Sequence, residues 1–538
     1  MNRIFKTATL AALSTLAGAT ATQAANITVN PADSKQEIIG FGGGSVYYQN
    51  WIANLPVEDQ EVLFDTAFTG LNLSLLRIAN WYQDEDATKL QDDINIVKAA
   101  QKRLGSHLKI EMSSWSAPGN LKPSGSVKGS AGSSKSDNSL KKANGDAYGA
   151  YVYTDFANWW KKSLEAYKAA GITPDYISLQ NEPDMNAGYE ETLFEPTETN
   201  EIAGYKEALN AVYDAVKGQT KILGPEPLGI GYSNFEKYAK ELDASKLDGY
   251  AYHLYHAGDG NDNSGNNYLA PENFRKPMKA IADVYGKGDK PIIMTEFCSM
   301  LDEAREEDML GLAHIMQIGF TDGKLNGYIA WELFYGYHSQ MISVCPGAGW
   351  DLLGDGRYVC EGKEIKIHPE YHAMRHYSKF VNPGWKVIGA TSDNNDLHTV
   401  AFQSANGDSI TVVAINKSAA TELDIPIDNY TAIYAVQSVE NGDKSKEISP
   451  KESIPAPAKS ITTVVFLSDT PTGIRTPVAS GLINDMNATA KVFDMNGNLV
   501  WTGLKNQALN TDGSLRLNLR QGMYLVKTKS STVKAIKK

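Results

Sequence analysis

Between about residues 38 and 377, short apolar runs alternate with longer stretches whose hydrophobic positions recur at helical spacing. The runs at 74–78, 108–112, 176–180, 221–223, 249–254, 291–295 and 327–331 are candidate strands, and the segments at 153–170 and 198–217 are candidate helices between them. Strand–helix alternation over this length is the pattern of a parallel sheet with crossover helices. A further strand near Gly40 to Gly43 brings the strands to eight, the number that closes a (β/α)8 barrel. The periodicity is equally compatible with an open doubly wound sheet.

The pattern changes after residue 384. Segments at 397–402, 409–415 and 461–466 alternate in polarity and are separated by Asn-Gly and Gly-Asp pairs, which predicts a small all-β unit. Pro471 and Pro477 frame a linker. A last module carries Lys491-Val-Phe-Asp-Met-Asn-Gly-Asn-Leu-Val-Trp501, a hairpin with Asn-Gly at its turn, then Gly522-Met-Tyr-Leu-Val-Lys527 and a basic tail. Residues 121–150, rich in Ser, Gly, Lys and Asn, predict a long mobile loop. At the other end, Arg3 and Lys6 precede an apolar stretch and the small residues Ala24 and Ala25. That build predicts a signal peptide over 1–25, too short to span a bilayer, and hence a secreted protein, extracellular or at the cell surface.

Composition narrows the chemistry. A charged fraction of 21% beside 42% hydrophobic residues excludes wholesale disorder, and a net charge of -12 argues against a general phosphate-backbone binder. Nucleic acid and a membrane span are therefore not expected as partners. Three cysteines cannot make a disulfide scaffold or an all-Cys zinc cluster; outside the cell Cys345 and Cys360 can pair, leaving Cys298 as a buried thiol.

Two carboxylates stand out. Glu182 and Glu296 each directly follow a candidate strand, where a barrel places side chains in its active-site mouth. Two such glutamates facing one another across a sugar are what retaining glycoside hydrolysis requires. Each alone is also compatible with a solvated strand end. Trp81, Tyr82, Trp115, Tyr252, Tyr255, Trp331, Tyr335 and Tyr337 lie near other strand ends, where flat rings can meet the apolar faces of sugars or simply fill the core. His368, His372 and His376 fall at helical spacing without the Glu of a zinc-protease motif, and structural roles are expected for them. His253 and His256 point to opposite faces of a strand, so no metal and no cofactor are expected. The glycines from Gly40 to Gly44 do not fit a dinucleotide fingerprint, and no Gly-x-Ser-x-Gly elbow occurs.

Taken as an ordered set, the motifs resemble glycoside hydrolase family 30, in particular its bacterial xylanase branch, over about residues 26–468. The resemblance rests on Gln36-Glu-Ile-Ile-Gly40-Phe-Gly-Gly-Gly44, Leu75-Leu-Arg77-Ile78, Ser114-Trp115-Ser-Ala-Pro118, Ser178-Leu-Gln-Asn181-Glu182-Pro-Asp184, His253-Leu-Tyr255, Met294-Thr-Glu296 and Ser378-Lys-Phe-Val-Asn-Pro383-Gly384. It implies an α/β fold: a TIM barrel over 38–377, a fused β-sandwich side domain from 26–37 plus 378–468, a linker at 469–481 and a small C-terminal β module at 482–538. It further implies Glu182 as general acid/base and Glu296 as nucleophile. Asn181 would bond the sugar 2-hydroxyl, Arg77 and Tyr255 would orient or tune the nucleophile, and Trp115 and Trp331 would floor the subsite of bond cleavage, with Tyr335 also binding substrate. The catalytic cycle then asks for a protonated Glu182 and a charged Glu296. The implied activity is that of a retaining endo-β-1,4-xylanase, a monomer acting on plant cell-wall xylan. The alternatives are another β-glycosidase of the family (β-1,6-glucanase, galactanase or glucosidase) or a non-catalytic polysaccharide-binding barrel.

The chain departs from the glucuronate-dependent pattern. Where those xylanases carry Arg-Arg-Phe-Tyr-Gly after the eighth strand, this sequence has Glu332-Leu333-Phe334-Tyr335-Gly336, and Phe297-Cys298-Ser299 lacks the tyrosine expected after the nucleophile. An arginine binds a carboxylate bidentately and a glutamate would repel it, so strict glucuronate dependence is not expected unless Arg357 substitutes. The tail resembles the C-terminal sorting domain of type IX secretion cargo, through Val492-Phe-Asp-Met-Asn-Gly497 and Gly522-Met-Tyr-Leu-Val526. That implies the secretion machinery as a partner. The module carries nine Lys or Arg against three Asp on an otherwise acidic chain.

Overall fold

Eight of the apolar runs close into a parallel barrel in the computed structural model, which describes residues 24–129, 134–231, 234–256, 267–299, 301–351, 356, 359–450, 453–469, 489–494, 499–509, 515–520, 522–528 and 532–537. The strands are Gly40–Ser45, Leu75–Ala79, Lys109–Ser113, Tyr176–Ser178, Lys221–Pro225, Gly249–His253, Ile292–Glu296 and Gly327–Ala330. The eighth returns to the first, Gly40 pairing with Gly327 and Gly43 with Ala330, which decides for the barrel over the open sheet. Leu75, Tyr176, Leu223, Ala251, Ile293 and Ile329 make a separate core inside it, while neighbours such as Leu76, Ile78, Ile222 and Ile292 pack outward against the helices. The glycine run of the first strand has a steric cause. A Cβ on Gly42 would stand 2.3 Å from the Leu75 carbonyl oxygen, so only glycine allows this strand so close to the second.

The N-terminal strand Ala25–Glu37 leaves the barrel and joins a nine-stranded sheet. There it pairs antiparallel with Lys386–Ser392 and, at its start, parallel with Thr421–Asp424. The sheet wraps a core of its own, with Ile27, Val29, Ile410, Val412, Leu423, Ile454 and Phe466 facing inward, giving a sandwich-like side unit. Its strand Ser409–Asn416 is buried on both faces, because Val413 and Ile415 point the other way into the main core of the barrel. The helix Asp308–Thr321 is correspondingly apolar all round. It lies between barrel and sheet, and Gln317 Nε2 donates to the Thr399 carbonyl at 3.1 Å.

The helix Pro369–Ser378 makes the second tie. His376 places Nδ1 2.8 Å from Thr463 Oγ1 and Nε2 2.9 Å from Ser438 Oγ, His372 meets Ser445, and His368 meets Ser343. The three histidines therefore serve separate hydroxyls. Cys345 and Cys360 form a disulfide, and Cys298 is buried. A small four-stranded sheet of Thr489–Asp494, Leu499–Leu504, Gly522–Lys527 and Thr532–Lys537 forms the C-terminal unit. Residues 1–23 of the expected signal peptide, most of the expected linker, the Asn-Gly turn and Arg357 lie outside the described residues. No helix among the described residues is long and apolar enough to cross a membrane.

Candidate active site

The C-terminal ends of the barrel strands surround a cleft of about 990 Å³. Below it lies Arg77, from the second strand, completely buried. Its Nη1 donates to Glu296 Oε2 at 2.6 Å and its Nη2 to Asn181 Oδ1 at 2.6 Å. The same guanidinium lies 3.2 Å from Glu226 and 3.2 Å from Glu111, and 4.5 Å above the centroid of Trp115. One side chain thus fixes residues from the third, fourth, fifth and seventh strand ends. Glu182 and Glu226 both hold left-handed backbone, at φ 48° and 61°, a conformation that costs about 1–3 kcal/mol for a non-glycine residue and gathers at functional sites. The Glu182 amide donates to the Glu226 carbonyl, which couples the two bends.

His253, at the end of the sixth strand, joins the two carboxylates. Its Nδ1 lies 3.0 Å from Glu182 Oε1 and 3.9 Å from Glu296 Oε2, and its Nε2 lies 3.5 Å from Glu226. Burial disfavours its charge, but the Glu296 charge and the hydrogen bonds to Glu182 and Glu226 prevail and push it up to about 10, so it holds both protons at neutral pH. Glu226 falls to about 2: burial raises it, and Arg77 and His253 outweigh burial. Glu111 rises to about 8 through burial and the Glu226 charge, against Arg77. Glu296 is shifted upward, first by burial and then by the Glu182 charge, while His253 and Arg77 pull it down. One oxygen each of Glu182 and Glu296, with a nitrogen of His253, lie within 4.8 Å of one another. Two carboxylates this close can protonate one side of a bond and attack the other.

The walls are aromatic. Tyr47 stands 6.0–6.3 Å from the rings of Trp81, Trp115 and Trp331, and Trp115 and Trp331 stand 6.0 Å apart. Tyr335 and Tyr337 extend the wall from the eighth-strand loop, where the disulfide packs Tyr48 and Trp51 behind them.

The sequence profile of the Glycosyl hydrolase family 30 TIM-barrel domain matches residues 72–201, the stretch that carries Arg77, Trp115, Asn181 and Glu182. The matched stretch is similar to the barrel domain of that family. The chain is 26% identical to Glucuronoxylanase XynC of Bacillus subtilis over 422 residues, covering 76% of the chain and 82% of the relative. It is 28% identical to an endo-1,6-beta-D-glucanase of Neurospora crassa over 191 residues, covering 31% and 37%. Its fold matches a conserved exported protein from Bacteroides fragilis with a TM-score of 0.66 at 18% identity, over 82% of the chain and all of that structure. These matches support a glycosidase.

Within this cleft the structure places Trp115, Asn181, Glu182, Tyr255, Glu296, Trp331 and Tyr335 on the lining and Arg77 beneath them. The Tyr255 hydroxyl lies 3.5 Å from Cys298 Sγ. Two expectations are corrected. Glu332 does not face the cleft to repel an acid. It is buried, accepts from the Val46 amide, and burial raises it well above the usual carboxylate range. The described parts of the 121–150 segment are tied down rather than loose: buried Lys122 donates to the Val127 and Glu191 carbonyls, and Val127 N donates to Glu85.

Sequence reasoning passed over Glu226, Glu111, Tyr47 and Tyr189, and it weighed His253 only as a ligand. Glu226 was within reach of the rule that found the other two glutamates, because it too directly follows a strand. Tyr47 and Tyr189 sit in loops and carry no pattern that separates them from other surface tyrosines.

Proposed function

We propose that the protein is a retaining endo-β-1,4-xylanase without strict dependence on glucuronate. The observation that carries the reading is the separation of Glu182 and Glu296, whose nearest oxygens lie within 4.8 Å, on the retaining side of the gap between retaining and inverting glycosidases. Glu296 attacks the anomeric carbon while Glu182 gives its proton to the departing glycosidic oxygen; the C–O bond to the leaving sugar breaks as the bond to Glu296 forms. Water then attacks the glycosyl-enzyme, Glu182 takes its proton, and Glu296 leaves. Arg77 and protonated His253 favour the charged form of Glu296. Asn181, held by Arg77, accepts that bond through its carbonyl and is left with its amide to meet the 2-hydroxyl. Trp115 and Trp331 give the sugar its apolar floor, and Tyr255 and Tyr335 its sides. The xylan reading draws on the length of the match to the Bacillus glucuronoxylanase, and export follows from the N-terminal pattern.

The shorter match to the Neurospora glucanase favours a second reading, action on β-1,6-glucan. Product analysis on glucuronoxylan, unbranched xylan and β-1,6-glucan separates them. Cleavage of both xylans at similar rates, with β-configured products first formed, is expected. Cleavage of the glucan alone moves the protein to the second reading, and cleavage of glucuronoxylan alone shows that a cation elsewhere reads the acid. Glu296→Gln abolishes hydrolysis and preserves xylan binding; undiminished cleavage removes Glu296 from the nucleophile's role.

A further inference from the structure

Both oxygens of Glu182 are occupied. Oε1 faces His253 at 3.0 Å, and Oε2 accepts a hydrogen bond from the Tyr189 hydroxyl at 3.1 Å. A proton bound for a glycosidic oxygen has to leave from one of these two atoms. The His253 side is completely buried, whereas Tyr189 is 39% exposed and lines the cleft, so a substrate reaches Glu182 through the place the tyrosine fills.

The backbone around Tyr189 is held on both sides. Its carbonyl accepts from the Gly129 amide at 2.7 Å, and Glu190 next to it binds Lys89 at 2.8 Å. Lys89 is itself fixed over Trp81 and beside Asp84. These ties hold the backbone on both sides of Tyr189, while its side chain stands in the cleft. Resting on the glycosidase reading above, we propose that Tyr189 is a positioning residue that stands in for the glycosidic oxygen at Glu182 Oε2. Substrate displaces its hydroxyl in the first step, and the hydroxyl returns to the Glu182 carboxylate left after proton transfer.

The charged and titratable groups around Glu182 come from several elements: His253 and Tyr255 from the sixth strand and its end, Glu296 from the seventh, Glu226 from the fifth, Tyr47 from the first-strand loop and Glu191 from its own loop. Of these, His253 shares Glu182 with Tyr189 as a hydrogen-bond donor and stays in both the native protein and Tyr189→Phe. A hydrogen bond donated to a carboxylate favours its charged form, so deleting the hydroxyl favours the protonated form needed in the first step.

The test compares native protein and Tyr189→Phe on unbranched xylan from pH 4 to 9, reading kcat/KM. The expected result is a basic limb moved upward by about 0.5–1 pH unit in the variant. A basic limb that stays in place in an active variant, or a loss of rate uniform across pH, overturns the role for Tyr189 and leaves the glycosidase reading standing. A native protein inactive on xylan and on β-1,6-glucan alike overturns that reading, and the proposal with it.

Discussion

Arg77 shows how much of this site one residue organises. It contacts Glu296, Asn181, Glu226 and Glu111 with a side chain that water does not reach. Arg77→Gln leaves buried carboxylates without their cation, which costs about 3–5 kcal/mol by the precedent of broken buried pairs. It also takes away one of the two charges opposing the upward shift of Glu296. Expected are a denaturation midpoint well below native, a fall in kcat/KM on xylan of about 100-fold or more, and an acid limb moved to higher pH. Arg77→Lys keeps the charge but cannot fork between Glu296 and Asn181, so it recovers stability better than rate. Recovery of both to native levels removes the claim that the fork matters. Glu182 and Glu296 were legible because the chain writes them directly after apolar runs. The Arg77 network was less so: its members sit 104, 149 and 219 residues from Arg77, and no local pattern connects them.

Among the elements, the helix Pro369–Ser378 holds barrel to sheet through a histidine that stays neutral. Burial, then the charge of Arg375, drives His376 well below its ordinary value, and both ring nitrogens meet hydroxyls. The unfolded chain binds a proton there below about pH 6.5 while the folded chain does not. Stability from this histidine is therefore complete above that pH and falls as the solution is acidified, by about 2 kcal/mol at pH 5. Buried His314, held down to about 3 by burial and by His398 and Lys417, adds to the same trend at the other contact with the sheet. Urea denaturation at pH 7 and pH 5 measures the slope, and His376→Gln is expected to flatten it; an unchanged slope shows that other groups set the acid sensitivity. The strands and the histidine spacing could be read in advance because periodicity is local. What Lys122 does to the 121–150 segment could not, since its buried ammonium is satisfied by a carbonyl 69 residues away.

At the scale of the whole molecule, the cores of the described residues fall to different units. The barrel and the side sheet share one of them through Val413, Ile415 and Ile461, so the sheet completes the surface of the catalytic unit. The C-terminal unit instead buries Ala490, Val492, Leu509, Leu515, Tyr524 and Val526 among themselves. A unit with its own core and a basic composition suits an address read by export machinery better than a part of the reaction. Ending the chain at Asp469 tests this directly. The shortened protein is expected to keep its kcat/KM on soluble xylan within about twofold, and its thermal midpoint, because none of the described residues beyond Asp469 belongs to the cleft or to the shared core. It is expected to remain inside the cells that make it, whereas the full chain reaches the outside. Should the shortened protein be exported normally yet lose its hold on insoluble xylan, the unit is a polysaccharide-binding module. Its Trp501 and Tyr524 would then be the rings to replace first.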